Sequence, residues 1–139
     1  YANHLLGGNA KVVTAQSNHI DGFHVDMYGS ATLVNEKGQV AQLAFGMDND
    51  YKCDIEIWGS KGTITSGRIL TAPDGFVPSY TIKKNQDIVT CPLPSDDAFL
   101  KSILRFVDCV ESSQTRAEEY DILHRQEALV EQFKDLANI

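Results

Sequence analysis

The 139-residue sequence has no G-x-G-x-x-G, no G-x-x-x-x-G-K-[ST] and no G-x-S-x-G. A dinucleotide pyrophosphate, a nucleoside triphosphate and an elbow-mounted serine nucleophile therefore have no motif to sit on. Basic residues are few and scattered: 12 Lys and Arg stand against 19 Asp and Glu, a formal charge of -7. With no basic run to neutralise phosphates, nucleic acid is not expected as a partner. No apolar run approaches the roughly 18 residues of a membrane span, and no signal-peptide pattern opens the chain. No membrane partner and a cytoplasmic location are expected. The three cysteines, Cys53, Cys91 and Cys109, are odd in number and lack C-x-x-C spacing. They read as reduced thiols rather than a disulfide framework or zinc site, with Cys53 and Cys109 filling core.

What is present is alternation. From Cys53 to Trp58, Ile55 and Ile57 fall on one side and Asp54, Glu56 and Trp58 on the other, the period of a strand with one buried face. Gly59-Ser60-Lys61-Gly62 offers glycine where a tight reversal needs positive φ, and Thr63-Ile64-Thr65 resumes the β-type run, so a hairpin is expected. Upstream, Tyr1 to Gly8 reads as the last turns of a helix ending at glycine. That opening, without methionine, suggests a sequence that starts mid-protein. Ala10 to Gln16 reads as a strand and Ser17 to Gly22 as a polar turn. Phe23 to Tyr28 alternates again, continuing through Ala31 to Val34 past a glycine that suggests a bulge. Asn35 to Gly38 is a turn and Val40 to Met47 a strand. A Pro- and Gly-containing loop over 71–78 precedes two short strands, Ser79 to Lys83 and Ile88 to Cys91.

At Pro94 the period changes to that of a helix. Ser95 is a candidate cap, with Asp96 and Asp97 in the first turn and Phe99, Ile103, Phe106, Val107 and Val110 as the apolar stripe. After Ser112-Ser113-Gln114, Thr115 and Glu118 have capping-box spacing, opening a helix with Tyr120, Leu123, Val130, Phe133 and Ala137 inward. These elements predict an α+β fold: a largely antiparallel, open-faced sheet of about seven strands, helices packed on one face, and two C-terminal helices. At 139 residues a single domain, 1–139, is expected. His24, Asp26, Tyr28, Gln42, Glu56 and Trp58 would line the open face, and large aromatics there suggest a homo-oligomer, an ordinary solvated face being the alternative.

His19, Asp21, His24 and Asp26 are the residue types of a zinc or iron site, but Gly22 breaks them and only His24 and Asp26 share a strand face. Asp48-Asn49-Asp50 opens like a calcium loop, yet Cys53 stands at the sixth position and Gly59 at the twelfth. No metal is expected.

The run from Phe45 to Ile64, F-G-M-D-N-D-Y-K-C-D-I-E-I-W-G-S-K-G-T-I, with Gly67-Arg68-Ile69-Leu70-Thr71-Ala72-Pro73, resembles the C-terminal half of oxidoreductases of the glucose-fructose oxidoreductase, inositol dehydrogenase and MocA family. It is most similar to the branch acting on sugars and nucleotide-linked sugars. The resemblance implies a C-terminal substrate-binding and oligomerisation domain, its N-terminal dinucleotide-binding domain lying outside this chain. It further implies NAD or NADP in the full-length protein, none bound by this domain alone, and hydride transfer at a sugar carbonyl or hydroxyl. The fragment is expected to be inactive by itself. The catalytic histidine or tyrosine is expected upstream of Tyr1, with Tyr1 not that residue. For substrate, Tyr51, Lys52 and Arg68 are the candidates. Ile64, Ser66 and Arg68 share a parity, so an unbroken strand would turn Arg68 to the buried side, where its charge needs an anionic ligand or a carboxylate. A non-catalytic binding or dimerisation module on the same scaffold is the alternative function.

Overall fold

The computed structural model describes residues 1–70 and 72–139, so Thr71, in the expected 71–78 loop, lies outside the described residues. The chain runs α1 (Ala2–Leu6), β1 (Lys11–Asn18), β2 (Tyr28–Val34), β3 (Val40–Gly46), β4 (Asp54–Gly59), β5 (Gly62–Gly67), β6 (Ser79–Lys84), β7 (Asp87–Pro92), α2 (Ala98–Glu111) and α3 (Ser113–Ala137). The fold is α+β, and every strand pairing among the described residues is antiparallel. Among the described residues the seven strands form two sheets, β1-β2-β3 and β4-β5-β6-β7. They belong to two compact units, residues 1–49 with 107–139, and residues 50–106.

In the first unit, α1 and α3 cover one face of β1-β2-β3. Val12, Ala31 and Leu33 from the strands meet Leu129 of α3, with Ala2 and Leu6 of α1 and Phe133 packed around them. The Phe45 and Phe133 rings stand edge to face, 6.1 Å between centroids. Burying Val12, Leu33 and Leu129 contributes about 1.5–3 kcal/mol each, which makes this cluster the main support of the unit. Asn35 ties helix to sheet: its amide nitrogen donates to Leu6 O at 2.8 Å and Gln39 Oε1 at 2.7 Å, while its oxygen accepts from the amides of Lys37 and Gln39.

Several local expectations shift. Phe23 to Met27 is a loop, and β2 begins only at Tyr28. Gly22 turns the chain at φ 91, and Met27 alone of that run is buried, its backbone bonded to Asn18 and Met47. The bulge lies not beside Gly29 but on β1, between Val12 and Thr14, opposite Leu33 and Thr32. Gly29 serves close approach instead: a Cβ there would run into the Gln16 carbonyl oxygen and the Phe45 ring. Asp97, not Ser95, accepts the Leu100 amide at 2.8 Å at the start of α2, and Ser112, not Thr115, caps α3. A cap needs extended backbone just outside the helix, which Thr115, two residues inside α3, does not have. Leu129 rather than its neighbour Val130 faces the core, and no residue of α2 is buried, Phe99 being 82% exposed.

In the second unit the strands carry two distinct faces. Ile57, Ile64, Ile82 and Val89 stand directly opposite one another across all four strands, an apolar row. The alternate positions form the row Glu56, Thr65, Thr81 and Thr90, in which the Thr81 and Thr90 hydroxyls are 3.0 Å apart. The Gly59–Gly62 hairpin closes as expected, with Gly62 at φ 147 against the Lys83 carbonyl.

Candidate functional site

The candidate site is built where β4 begins and β5 ends. Asp54 pairs with Gly67 as the last rung of their ladder, and one step beyond it the Ile69 amide still donates to Cys53 O at 3.2 Å. Between those two bonds the backbone passes through Arg68 at φ 50, the left-handed region that costs an L-residue roughly 1–2 kcal/mol. Gly67 ahead of it has open space about its Cα, so the chain can turn out of the sheet there.

That turn corrects the expected aim of Arg68. Strand parity does not extend through a left-handed residue, so Arg68 leaves the buried side and is exposed. Its guanidinium carbon lies 5.0 Å from the centroid of the Tyr51 ring. A cation over an aromatic face contributes about 0.5–1 kcal/mol at an exposed site, enough to offset part of the backbone strain. Tyr51 itself is set by the turn before β4, its amide donating to Asp50 Oδ1 at 2.9 Å.

Lys52 completes the group. Its ammonium lies 3.7 Å from Asp54 Oδ2, both side chains more than half exposed. Such a pair contributes at most about 1 kcal/mol, so Lys52 can exchange Asp54 for an incoming anion at little cost. The structure thus brings all three sequence candidates to one end of one hairpin: two cations, the Tyr51 ring and the Asp54 carboxylate. This arrangement can hold a phosphate or carboxylate and stack on a planar group.

The other groups of interest disperse. His24 and Asp26 sit in the loop before β2, Tyr28 and Gln42 on the three-stranded sheet, and Glu56 and Trp58 on the four-stranded one. The six therefore do not share one face of a single sheet, because β2 starts too late and β3 and β4 share no ladder. Trp58 is nevertheless 86% exposed. Among the described residues no three of His, Cys, Asp and Glu gather to hold a metal, and no helix is long and apolar enough to cross a membrane. The three thiols are unpaired and half-buried. Among the described residues the strands pair only in antiparallel ladders, and the sequence holds no G-x-G-x-x-G. What the sequence did not disclose is the left-handed backbone at Arg68, for which only the neighbouring Gly67 hints at a turn.

Known proteins resemble this chain over nearly all of it. It is 32% identical over 127 residues to a dTDP-3,4-didehydro-2,6-dideoxy-alpha-D-glucose 3-reductase of Actinomadura kijaniata, covering 91% of this chain and 38% of the relative. A protein of the same name from Streptomyces antibioticus is 27% identical over 99% of this chain and 42% of its own length. The crystal structure of KijD10, a 3-ketoreductase from Actinomadura kijaniata in complex with TDP-benzene and NADP, superposes with a TM-score of 0.88 at 33% identity, over 96% of this chain and 42% of that one. The chain thus spans about two fifths of the length of the relatives it matches. The profile of the GFO/IDH/MocA C-terminal domain matches residues 1–65. On the shared strands and hairpin, and on these matches, the chain belongs to the GFO/IDH/MocA C-terminal domain family.

Proposed function

We propose that this chain is the substrate-recognition and association domain of a cytoplasmic NAD(P)-dependent oxidoreductase that works on a nucleotide-linked sugar. The observation that carries the reading is the Arg68–Tyr51 stack beside the Lys52–Asp54 pair. Two cations at one exposed strand end suit the diphosphate of such a substrate, and relatives of this chain are dTDP-sugar 3-reductases. When bound elsewhere in the full-length protein, the nicotinamide supplies or accepts hydride. This chain's residues hold the substrate's charged portion and orient its sugar.

A proton must also move, and the group that moves it is expected upstream of Tyr1. A variant of the Actinomadura enzyme with a tyrosine replaced by phenylalanine at position 186 was crystallised with TDP-benzene and NADP. A phenol can exchange a proton with a substrate oxygen. Self-association through the polar face that carries Trp58 belongs to the same proposal.

The test is a comparison of this chain with the product of its full reading frame. The longer protein binds NADP by calorimetry and reduces a dTDP-linked 3-keto sugar, this chain alone does neither, and Arg68→Ala raises KM for the sugar nucleotide. A full-length product that binds no nicotinamide would leave the non-catalytic association module in its place.

A further inference from the structure

The proton-moving group of the proposed reaction is expected before Tyr1, and the sequence reads α1 as the last turns of a helix. What fixes α1 against the sheet therefore bears on that group. Ala2 and Leu6, four residues apart and so on one stripe of the helix, pack against the cluster of Val12, Ala31, Leu33 and Leu129. Apolar contact is non-directional, so it resists separation of α1 from the sheet more than sliding or tilting along it. Asn35 supplies the directional bond. Its Nδ2 donates to Leu6 O at 2.8 Å, across 29 residues of sequence. Leu6 O belongs to the last turn of α1, where carbonyls have no helical amide to accept from.

Asn35 is itself firmly held. Its Oδ1 accepts from the Lys37 and Gln39 amides at 3.0 Å each, and its Nδ2 also donates to Gln39 Oε1 at 2.7 Å. Its backbone amide donates to Gln39 O at 3.1 Å, and its carbonyl accepts from the Gly38 amide at 3.0 Å. The residue is 9% exposed, so water competes little for Leu6 O. An aspartate would serve the turn amides equally well, since that duty needs only acceptors. Only a side-chain amide both accepts from the turn and donates to the end of a helix. The Leu6 bond is thus a task additional to building the β2–β3 turn.

We propose that Asn35 is a positioning residue for the proton-moving group: through Leu6 O it sets the tilt and axial register of the helix that carries that group. The assignment rests on the sugar-nucleotide reading above. It concerns the geometry of the reaction, since Asn35 acts through α1. From Leu6 to a side chain one turn before Tyr1 is about 13 Å along the axis, so a tilt of about 10° moves that side chain by about 2 Å. A displacement of that size is enough to slow a proton transfer by about a hundredfold.

The experiment is steady-state reduction of a dTDP-linked 3-keto sugar with NADPH by the full-reading-frame protein, in light and in heavy water. Wild type is compared with Asn35→Asp, Asn35→Ser and Gln39→Ala, each checked for native circular dichroism at the assay temperature. Asn35→Asp keeps acceptors for the turn amides and loses the donor to Leu6 O. Asn35→Ser does the same without a charge, on a shorter side chain, and gives the answer where the aspartate variant does not fold. Gln39→Ala removes a partner of Asn35 and leaves the Leu6 bond. Both Asn35 variants lower kcat by about tenfold to a hundredfold, with KM for the sugar nucleotide within about twofold of wild type. Their solvent isotope effect on kcat rises, because the proton transfer becomes the slow step, while Gln39→Ala matches wild type throughout. Folded Asn35 variants with wild-type kcat, or with a lowered kcat and no larger isotope effect, would overturn the assignment and leave the functional reading intact. If neither Asn35 variant folds while Gln39→Ala does, Asn35 is a structural residue alone and the assignment falls. A wild type that reduces no dTDP-linked keto sugar sinks the functional reading, and the assignment with it.

Discussion

The guanidinium of Arg68 lies 5.0 Å from the centre of the Tyr51 ring, and Arg68 holds it there from a left-handed backbone. Backbone strain and side-chain contact can be separated by mutation. Arg68→Gly relieves the φ 50 strain while Arg68→Ala retains it, so the glycine variant is more stable than the alanine variant by about 1 kcal/mol in urea unfolding. Both lose affinity for a sugar nucleotide by about tenfold, because both lose the charge. Equal stability of the two variants would show that the backbone at Arg68 is not held left-handed in solution.

Asn35 is the polar hinge of the first unit, 9% exposed and bonded through both amide atoms to α1 and the β2–β3 turn. Asn35→Asp keeps the shape but turns two donors toward the Leu6 and Gln39 oxygens into an acceptor. It is expected to cost about 1–3 kcal/mol in chemical denaturation. Gln39→Ala, which removes one of several partners, costs less.

Gly29→Ala tests the packing of β2. The added methyl meets the Gln16 carbonyl, which is backbone, and the Phe45 ring, which is itself wedged against Phe133. Neither can retreat freely, so a loss of about 1–3 kcal/mol is expected. Gly67→Ala, with open space around its Cα, is the control and stays within about 0.5 kcal/mol.

At the start of α2, the Lys101 ammonium bonded to Asp96 holds that carboxyl below its usual range, desolvation opposing only in part. A depressed folded-state value means that the pairing is complete above the ordinary aspartate range and is lost as pH falls through the lowered one. Side-chain NMR titration should therefore find Asp96 among the last aspartates to protonate, with Lys101→Met moving it back up. Helix content follows weakly, since the pair is fully exposed to solvent.

Local sequence was enough for the strand count, the antiparallel order, the Gly59–Gly62 hairpin and the two C-terminal helices. Alternation and turn chemistry are nearest-neighbour properties, and each of those elements is closed by residues adjacent in sequence. The candidates Tyr51, Lys52 and Arg68 were legible for the same reason: they flank one hairpin, and a hairpin returns its ends to each other whatever the rest of the chain does.

Other features depend on partners distant in sequence. Phe23 to Tyr28 has the alternation of a strand, but pairing to β3 starts at Tyr28, and Met27 is held by Asn18 and Met47 instead. Leu129 and Val130 are equally apolar neighbours on α3, and only the position of Val12, Ala31 and Leu33 selects Leu129. The direction of Arg68 is of the same kind. Parity along a strand specifies a face only while the backbone stays extended, and the tertiary structure decided that it does not, by turning Arg68 through the left-handed region onto the ring of Tyr51.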